Sequence, residues 1–122
     1  DILFAGSKMG AVNHTTAEKL DIKALIPHQP IPFTTKALAV LQRKDCLVAP
    51  CFIPVAGPLF SYWSDDKSEI ADIVAKASSE MKLALDEAGG HEDGLFLGSC
   101  YRAEAFLASW QKNLPFGRPL AS

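Results

Sequence analysis

Short apolar segments alternate with helix-like segments in the first half of the chain. Residues 1–5, 22–26 and 47–49 are mostly apolar and do not alternate with polar positions, a pattern typical of strands in a parallel sheet that is covered on both faces. Helices are predicted between them, over about residues 14–20 and 34–43. The order strand, helix, strand, helix, strand therefore predicts an α/β fold, with a partial Rossmann-like parallel sheet of about three short strands and flanking helices.

The second half has the periodicity of two longer helices. From residue 64 onward, apolar residues recur at spacings of three and four and form one stripe, which ends at Gly89 and Gly90. A last helix is predicted over about residues 92–112, and it is apolar on more than one side. We therefore expect it to contact a subunit or another domain, because monomers rarely expose large apolar patches.

Three local patterns refine these boundaries. Residues 15–18, Thr-Thr-Ala-Glu, have the form of a capping box, which predicts that Thr15 caps the first helix. Residues 27–32 hold three prolines and can form neither a helix nor a central strand, because proline has no N–H to donate. Residues 54–58, with Pro54 and Pro58, are predicted to be irregular.

Composition and charge exclude several classes of protein. The 122 residues are 48% apolar and 21% charged, which is typical of one globular domain and not of a disordered chain. The formal net charge is −2 and the 12 basic residues are scattered, so we expect no nucleic-acid partner. No apolar run approaches the roughly 20 residues that span a bilayer, so no membrane contact is predicted.

The three cysteines and the length suggest a compartment and an incomplete enzyme. Cys46, Cys51 and Cys100 form no Cys-x-x-Cys pair and lack partners at the spacing of zinc ligands, so we predict buried thiols, no metal site and a cytoplasmic protein. The chain is too short for a two-domain cofactor enzyme and starts without Met. We expect it to be a processed chain or a piece of a longer one.

Candidate chemistry taken from the residues alone is sparse. His28 and Cys51 each follow a predicted strand, so a Cys–His dyad is conceivable, although a loop histidine and a packed thiol are the favoured interpretation. Asp65, Asp66 and Glu69 could form a carboxylate site, but acids in the first turn of a helix have a sufficient structural reason. Small residues follow the first strand at 10–13 and the third at 56–57, where a ligand could approach the backbone.

The order of these segments resembles one enzyme family. Residues 9–13, Met-Gly-Ala-Val-Asn, are similar to the Leu-Gly-(Gly/Ala)-Val-(Ile/Leu)-Asn segment of the glutamate/leucine/phenylalanine/valine dehydrogenases, and residues 22–26 to their Lys-Ala-Lys-Ile-Ile. Residues 47–50, Leu-Val-Ala-Pro, resemble a strand of that family, Ala56 and Gly57 fall on its Asn-Ala-Gly-Gly, and residues 61–63 are similar to its Val-Ser-Tyr-Phe-Glu-Trp. The resemblance covers about residues 1–110.

The resemblance implies an NAD(P)-dependent amino-acid dehydrogenase and assigns residues to it. It implies that Gly10, Asn13, Ala56 and Gly57 bind NAD or NADP, and that Ser61 binds a carboxylate of a small-molecule substrate. Residues 1–63 would be the second half of a dinucleotide-binding-like βαβαβ unit, residues 64–113 C-terminal helices packed on it, and residues 114–122 a loose tail. The catalytic residues would lie outside this chain, so it should not be active alone; we expect a homo-oligomer or a contact with a missing domain.

Departures from the family pattern support a second interpretation. Pro30 stands in the family's Glu-Gly-Ala-Asn segment, Val55 replaces the Asn of Asn-Ala-Gly-Gly, and Pro58 replaces its second Gly. These changes remove hydrogen-bonding groups, and each lost partner costs about 1–3 kcal/mol at a buried site. The alternative function is therefore a non-catalytic Rossmann-like module that serves assembly or regulation.

Overall fold

Three parallel strands form the sheet in a computed structural model that describes residues 1–63 and 69–112. The strands are β1 (Ile2–Ala5), β2 (Ala24–Pro27) and β3 (Leu47–Val48), and they lie side by side in chain order. Helix α1 (His14–Lys19) connects the first pair and α2 (Thr35–Arg43) the second. A short 3-10 helix (Pro54–Ala56) leads into α3 (Gly57–Tyr62), and α4 (Ile70–Gly89) and α5 (Gly94–Ala108) follow. The predicted fold class is confirmed.

One face of the sheet carries the core. Leu3, Leu25 and Val48 are partners in register across the three strands, and Leu25 is fully buried. α1 and α2 pack against each other and cover this row. Their buried contributions are small and aliphatic residues at helical spacing: Ala17, Ala37, Val40 and Leu41.

The other face of the sheet is apolar and open. The neighbouring row, Ile2, Ala24 and Leu47, points the opposite way because successive side chains of a strand alternate between faces. Ile2 is 62% exposed, Leu47 48% and Phe4 66%. The expectation that both faces are covered is therefore met on one face only, as far as the described residues show.

The C-terminal helices form a hairpin attached to the core. α4 and α5 pack along each other, and a β-carbon on Gly98 would lie 2.4 Å from the Ala88 carbonyl oxygen, so glycine allows their close approach. The Phe96 ring meets the Phe33 ring edge-to-face, with centroids 6.1 Å apart, and this contact ties α5 to the core. Most of the predicted α4 stripe is not fully buried; Ala77 and Ala88 are the buried residues.

Two local predictions were wrong for physical reasons. Asn13, rather than Thr15, caps α1: its Oδ1 accepts from the Thr16 N–H at 3.0 Å, and Thr15 already lies in the first turn with its hydroxyl on His14 Nε2. Residues 54–58 are helical rather than irregular. Pro54 and Pro58 stand in the first turns of their helices, where a backbone N–H has no intrahelical partner to lose.

The helix boundaries in the second half differ from the sequence-based ones. The long helix is described from Ile70, and the predicted start over residues 64–66 lies outside the described residues, as does the predicted tail over 114–122. The last helix is shorter than the predicted 92–112 at both ends. None of the helices in the described part of the chain has the length and apolar content needed to cross a bilayer.

Lys44 connects the two helices that cover the sheet. It follows the end of α2, and its Nζ donates to the carbonyl oxygens of Glu18 at 3.1 Å, Ala17 at 3.4 Å and Leu20. Carbonyls at a helix C-terminus have no intrahelical donor and carry partial negative charge. An ammonium therefore stabilises them both by hydrogen bonding and by its positive charge.

Replacing Lys44 should loosen this side of the fold. Lys44→Met keeps the apolar stem, removes the ammonium, and should lower the free energy of unfolding by about 1–2 kcal/mol. Arg43→Met is the matched control, because Arg43 is exposed and makes no hydrogen bond in the described structure; we expect a change of about 0.5 kcal/mol or less. Urea denaturation measures both, and equal losses for the two variants would contradict the role of Lys44.

Candidate functional site

The carboxyl ends of the three strands meet at one edge of the sheet. In a parallel sheet every strand ends on the same side, and ligands of open α/β folds bind there. Gly10 and Asn13 follow β1, and Ala56 and Gly57 follow β3, so the four predicted cofactor residues belong to segments that leave the sheet at this edge. The loop after β2 lies between the two pairs, because β2 is the central strand.

The loops after β1 and β2 are joined backbone to backbone. Gly10 N–H donates to the Ile31 carbonyl at 2.9 Å and Val12 N–H to that of Pro32 at 2.9 Å, while Thr34 N–H donates to the Val12 carbonyl at 3.0 Å. Val12 and Phe33, both buried, form an isolated parallel bridge. We call this pairing the loop bridge. It makes one unit of the two loops. The proline run is neither helix nor central strand over residues 28–32, as predicted, but the prediction was wrong for Pro27, which is the last residue of β2 and is in register with Ala5.

The loop bridge contains unusual backbone conformations. Gly10 has φ of 66°, in the left-handed region that glycine adopts without steric penalty, so its place in the sequence has a backbone reason. Ser7 at 69° and Ile31 at 49° share this region. For a β-branched residue such as Ile31 this conformation costs about 1–2 kcal/mol, and the hydrogen bond from Gly10 helps to hold it.

Gly6 and His28 are in close contact at the same edge. The His28 N–H donates to the Ala5 carbonyl at 2.9 Å, and its ring lies over Gly6 so closely that a β-carbon there would be 2.2 Å from the imidazole. Sequence reasoning singled out His28 but missed Gly6. The signal for Gly6 was its position directly after the first strand, where a close approach of two loops favours glycine.

The side chain of Asn13 uses its oxygen to cap α1, while its NH₂ group is available to a ligand. Its Oδ1 caps α1 by accepting from the Thr16 N–H at 3.0 Å and the Thr16 hydroxyl at 3.2 Å. The side-chain amide NH₂ makes no hydrogen bond to any described residue, and Asn13 is exposed. The residue can therefore donate to a ligand without giving up the cap.

Ala56 and Gly57 lie where the 3-10 helix passes into α3. The 3-10 helix packs against β2, Ala56 is its last residue, and Gly57 is the first residue of α3. Gly57 has φ −45° and ψ −52°, an ordinary helical conformation, and a β-carbon there would make only a 3.9 Å contact with Met81 Cε. Unlike Gly10, Gly57 is not required by its backbone.

Ser61 is one turn further along α3. It is exposed, and its hydroxyl donates to the Pro58 carbonyl at 2.7 Å. The structure therefore places Ser61 on the same short helix as Gly57, at the outer surface.

The remaining chemical candidates are not assembled. No hydrogen bond joins His28 to Cys51 in residues 1–63, and Cys51 is half-buried. Asp65 and Asp66 lie outside the described residues, while Glu69 precedes α4 without a side-chain capping bond. Across residues 1–63 and 69–112, no three His, Cys, Asp or Glu side chains are grouped as metal ligands would be.

Two surface grooves are lined by residues other than the five predicted binding residues, although Met81 in the first groove lies close to Gly57. One, of about 450 Å³, is enclosed by the segment after β3, α3 and the α4–α5 hairpin. The other, of about 640 Å³, lies between the start of β3 and the link from α4 to α5. Sequence reasoning missed both, because each brings together segments that are distant in the chain.

Comparison with known proteins adds no relative to this picture. No protein-family model matches the chain, and no curated protein is significantly similar to it. The resemblance to the amino-acid dehydrogenases thus depends on the residues quoted above.

Two glycine substitutions distinguish the close contact at Gly6 from the open position at Gly57. Gly6→Ala forces the His28 ring out of its place and should destabilise the fold by about 1 kcal/mol. Gly57→Ala should be neutral or stabilise α3 by up to about 1 kcal/mol. Thermal denaturation measures both, and adding His28→Ala to Gly6→Ala should recover most of the loss. No recovery would mean that the contact is not the cause.

The thiols of Cys46 and Cys51 should differ in reactivity. Burial raises the pKa of Cys46 above its ordinary value, although Lys44 and the chain's amino terminus act in the opposite direction. Because the thiolate is the reactive form, we expect iodoacetamide to modify the half-buried Cys51 before Cys46. Mass spectrometry of the native protein over time measures the order.

The same pKa predicts a dependence of folding stability on pH. The folded chain holds the Cys46 proton to a higher pH than the unfolded chain, so ionisation favours unfolding. The contribution is complete below about pH 8.5, the ordinary thiol pKa, and is lost as the pH rises through the folded value. Cys46→Ala should flatten the decline in urea-unfolding free energy above that pH; an unchanged slope would contradict it.

Proposed function

We propose that this chain is part of a divergent NAD(P)-dependent amino-acid dehydrogenase, similar to the glutamate dehydrogenases. In that reaction a hydride passes between the α-carbon of an amino acid and the nicotinamide ring, and ammonia is released. The observation that carries the proposal is the carboxyl edge of the sheet, where Gly10, Asn13, Ala56 and Gly57 follow parallel strands in the order of that family.

Each predicted residue has a role that its conformation permits. Gly10 lets the backbone of the first loop come close to a ligand, and the Asn13 amide donates to a polar group of the nicotinamide half. Ala56 and Gly57 present a surface without bulky side chains at the start of α3, and the Ser61 hydroxyl serves a substrate carboxylate. The resemblance implies NAD or NADP and leaves the choice between them open.

The proposal requires catalytic residues from outside this chain and a contact with the domain or subunit that carries them. The resemblance implies that the catalytic residues lie outside this chain, so we expect the chain to be inactive alone. The exposed apolar row of Ile2, Phe4 and Leu47 supports contact with a further domain or a second copy. No disulfide links the three cysteines, which is consistent with the cytoplasm as the compartment.

A non-catalytic module is the second candidate, and specific contacts favour it. The side-chain oxygen of Asn13 caps α1, Val55 lies in the 3-10 helix, and Pro58 lies in the first turn of α3. The positions that would hold the nicotinamide in the family thus serve helix ends here. In this alternative the chain keeps its helices for assembly or regulation and binds no dinucleotide.

Calorimetric titration with NAD, NADH and NADP separates the two candidates, and it is made on the parent polypeptide, which joins this chain to the missing part of the site. The dehydrogenase proposal expects binding in the micromolar range, and the module expects none at millimolar cofactor. Asn13→Ser keeps an oxygen that can cap α1 but removes the amide N–H groups, so it should weaken binding about fivefold or more while leaving the melting temperature nearly unchanged.

Thr15→Ser is the control for that variant, since the Thr15 hydroxyl makes its hydrogen bond in the described structure to the neighbouring His14 ring and serine keeps that hydroxyl. It should change neither binding nor stability. Oxidation of an amino acid by the 122-residue chain alone would contradict the claim that the site is incomplete.

A further inference from the structure

The groove between α3 and the α4–α5 hairpin has the size and walls of a small-molecule site. Its volume of about 450 Å³ falls within the roughly 300–1,000 Å³ of ligand pockets. Phe52, Phe60 and Phe106 supply three aromatic rings from three separate segments, and the Met81 side chain adds a flexible apolar wall. Phe52 and Phe106 are exposed at the mouth, so a ligand would cover apolar surface that now faces water.

Two of the polar side chains around this groove have partners in the described structure, and a third has none. The Ser99 hydroxyl, at the buried base, donates to the Leu95 carbonyl at 2.7 Å. Arg102 donates from Nε to the Glu87 carboxylate, so its charge is balanced by a neighbour. Glu80 also borders the groove, and its carboxylate makes no hydrogen bond or ion pair with any residue of the described ranges.

The sum of these charges selects the sign of a ligand. Glu80 and Glu87 carry two negative charges and Arg102 one positive charge, which leaves one negative charge beside three aromatic rings. An ammonium group is attracted both by a carboxylate and by the faces of aromatic rings, whereas a carboxylate ligand would be repelled by Glu80.

We propose that this groove binds a small amphiphilic amine, with its apolar body against the phenylalanine rings and its ammonium beside Glu80. The groove shares no residue with Gly10, Asn13, Ala56, Gly57 or Ser61, so the proposal is independent of the dehydrogenase function. The ligand is held without covalent chemistry, by apolar burial and one charge pair.

Three probes with the same apolar chain test the charge preference. Octylamine, octanol and octanoate are titrated into the full 122-residue chain, and binding is followed by NMR through the Met81 methyl group and the amides of residues 80–84. Octylamine should bind about three- to fivefold more tightly than octanol, as expected for one solvent-accessible charge pair, and octanoate more weakly than either.

Matched substitutions assign the preference to Glu80. Glu80→Gln has nearly the same shape and should abolish the preference for octylamine over octanol without changing the affinity for octanol. Glu18→Gln on α1, outside the groove, should leave all three affinities unchanged. Both variants alter solvent-exposed side chains, so folding is expected to persist, and circular dichroism checks it.

Several outcomes would overturn the proposal. These are octanoate binding as tightly as octylamine, the same preference in Glu80→Gln as in the parent chain, or shift changes confined to residues outside the groove. Absence of binding by all three probes would overturn it as well. None of these results bears on cofactor binding at the carboxyl edge, which the calorimetric titration tests separately.

Discussion

The central strand β2 is the constraint on which the rest of the structure depends. It is the strand in the described sheet with partners on both sides: its Leu25 is in register with Leu3 of β1 and with Val48 of β3. Because both pairings are parallel, each connection must return the chain to the end of the sheet where the strands begin. Helix α1 makes the first of these connections and α2 the second. The three strands consequently end at one edge, and Leu25 in β2 becomes the centre of the core.

This constraint explains why the two halves of the chain differ in character. The first half is held by a buried row across the sheet, two helices on that row, Lys44 between the helices, and the loop bridge at the carboxyl edge. The second half is a helical hairpin that reaches the core chiefly through Phe96 and leaves the groove beside it open.

Much of the fold could be predicted, because apolar runs and helical spacing are local properties. The strands, the two covering helices and their order all followed from such patterns. Helix ends were less predictable: Thr15 and Asn13 are both good caps, and the choice depends on where the backbone leaves the helical conformation. Pro54 and Pro58 predict an irregular segment from the sequence, yet proline is compatible with the first turn of a helix.

The candidate site was predicted less well, because contacts between distant segments define it. The pairing of Val12 with Phe33 and the contact of Gly6 with His28 join loops that follow different strands, and no local pattern encodes them. The groove beside Glu80 needs a segment after β3, a short helix and a helical hairpin to come together. The family resemblance orders the segments along the chain, but it does not show which polar atoms already have a hydrogen bond within the protein. The side-chain oxygen of Asn13 is one such atom.

The sheet order also bears on how this chain acquires its structure. Each strand lies beside the strand that precedes it in the chain, so no pairing has to wait for a segment synthesised much later. Pairings between near neighbours lose less loop entropy and favour rapid folding. As the polypeptide leaves the ribosome, β1, α1 and β2 can form a first unit on which β3 adds, and the order of synthesis coincides with the order of assembly.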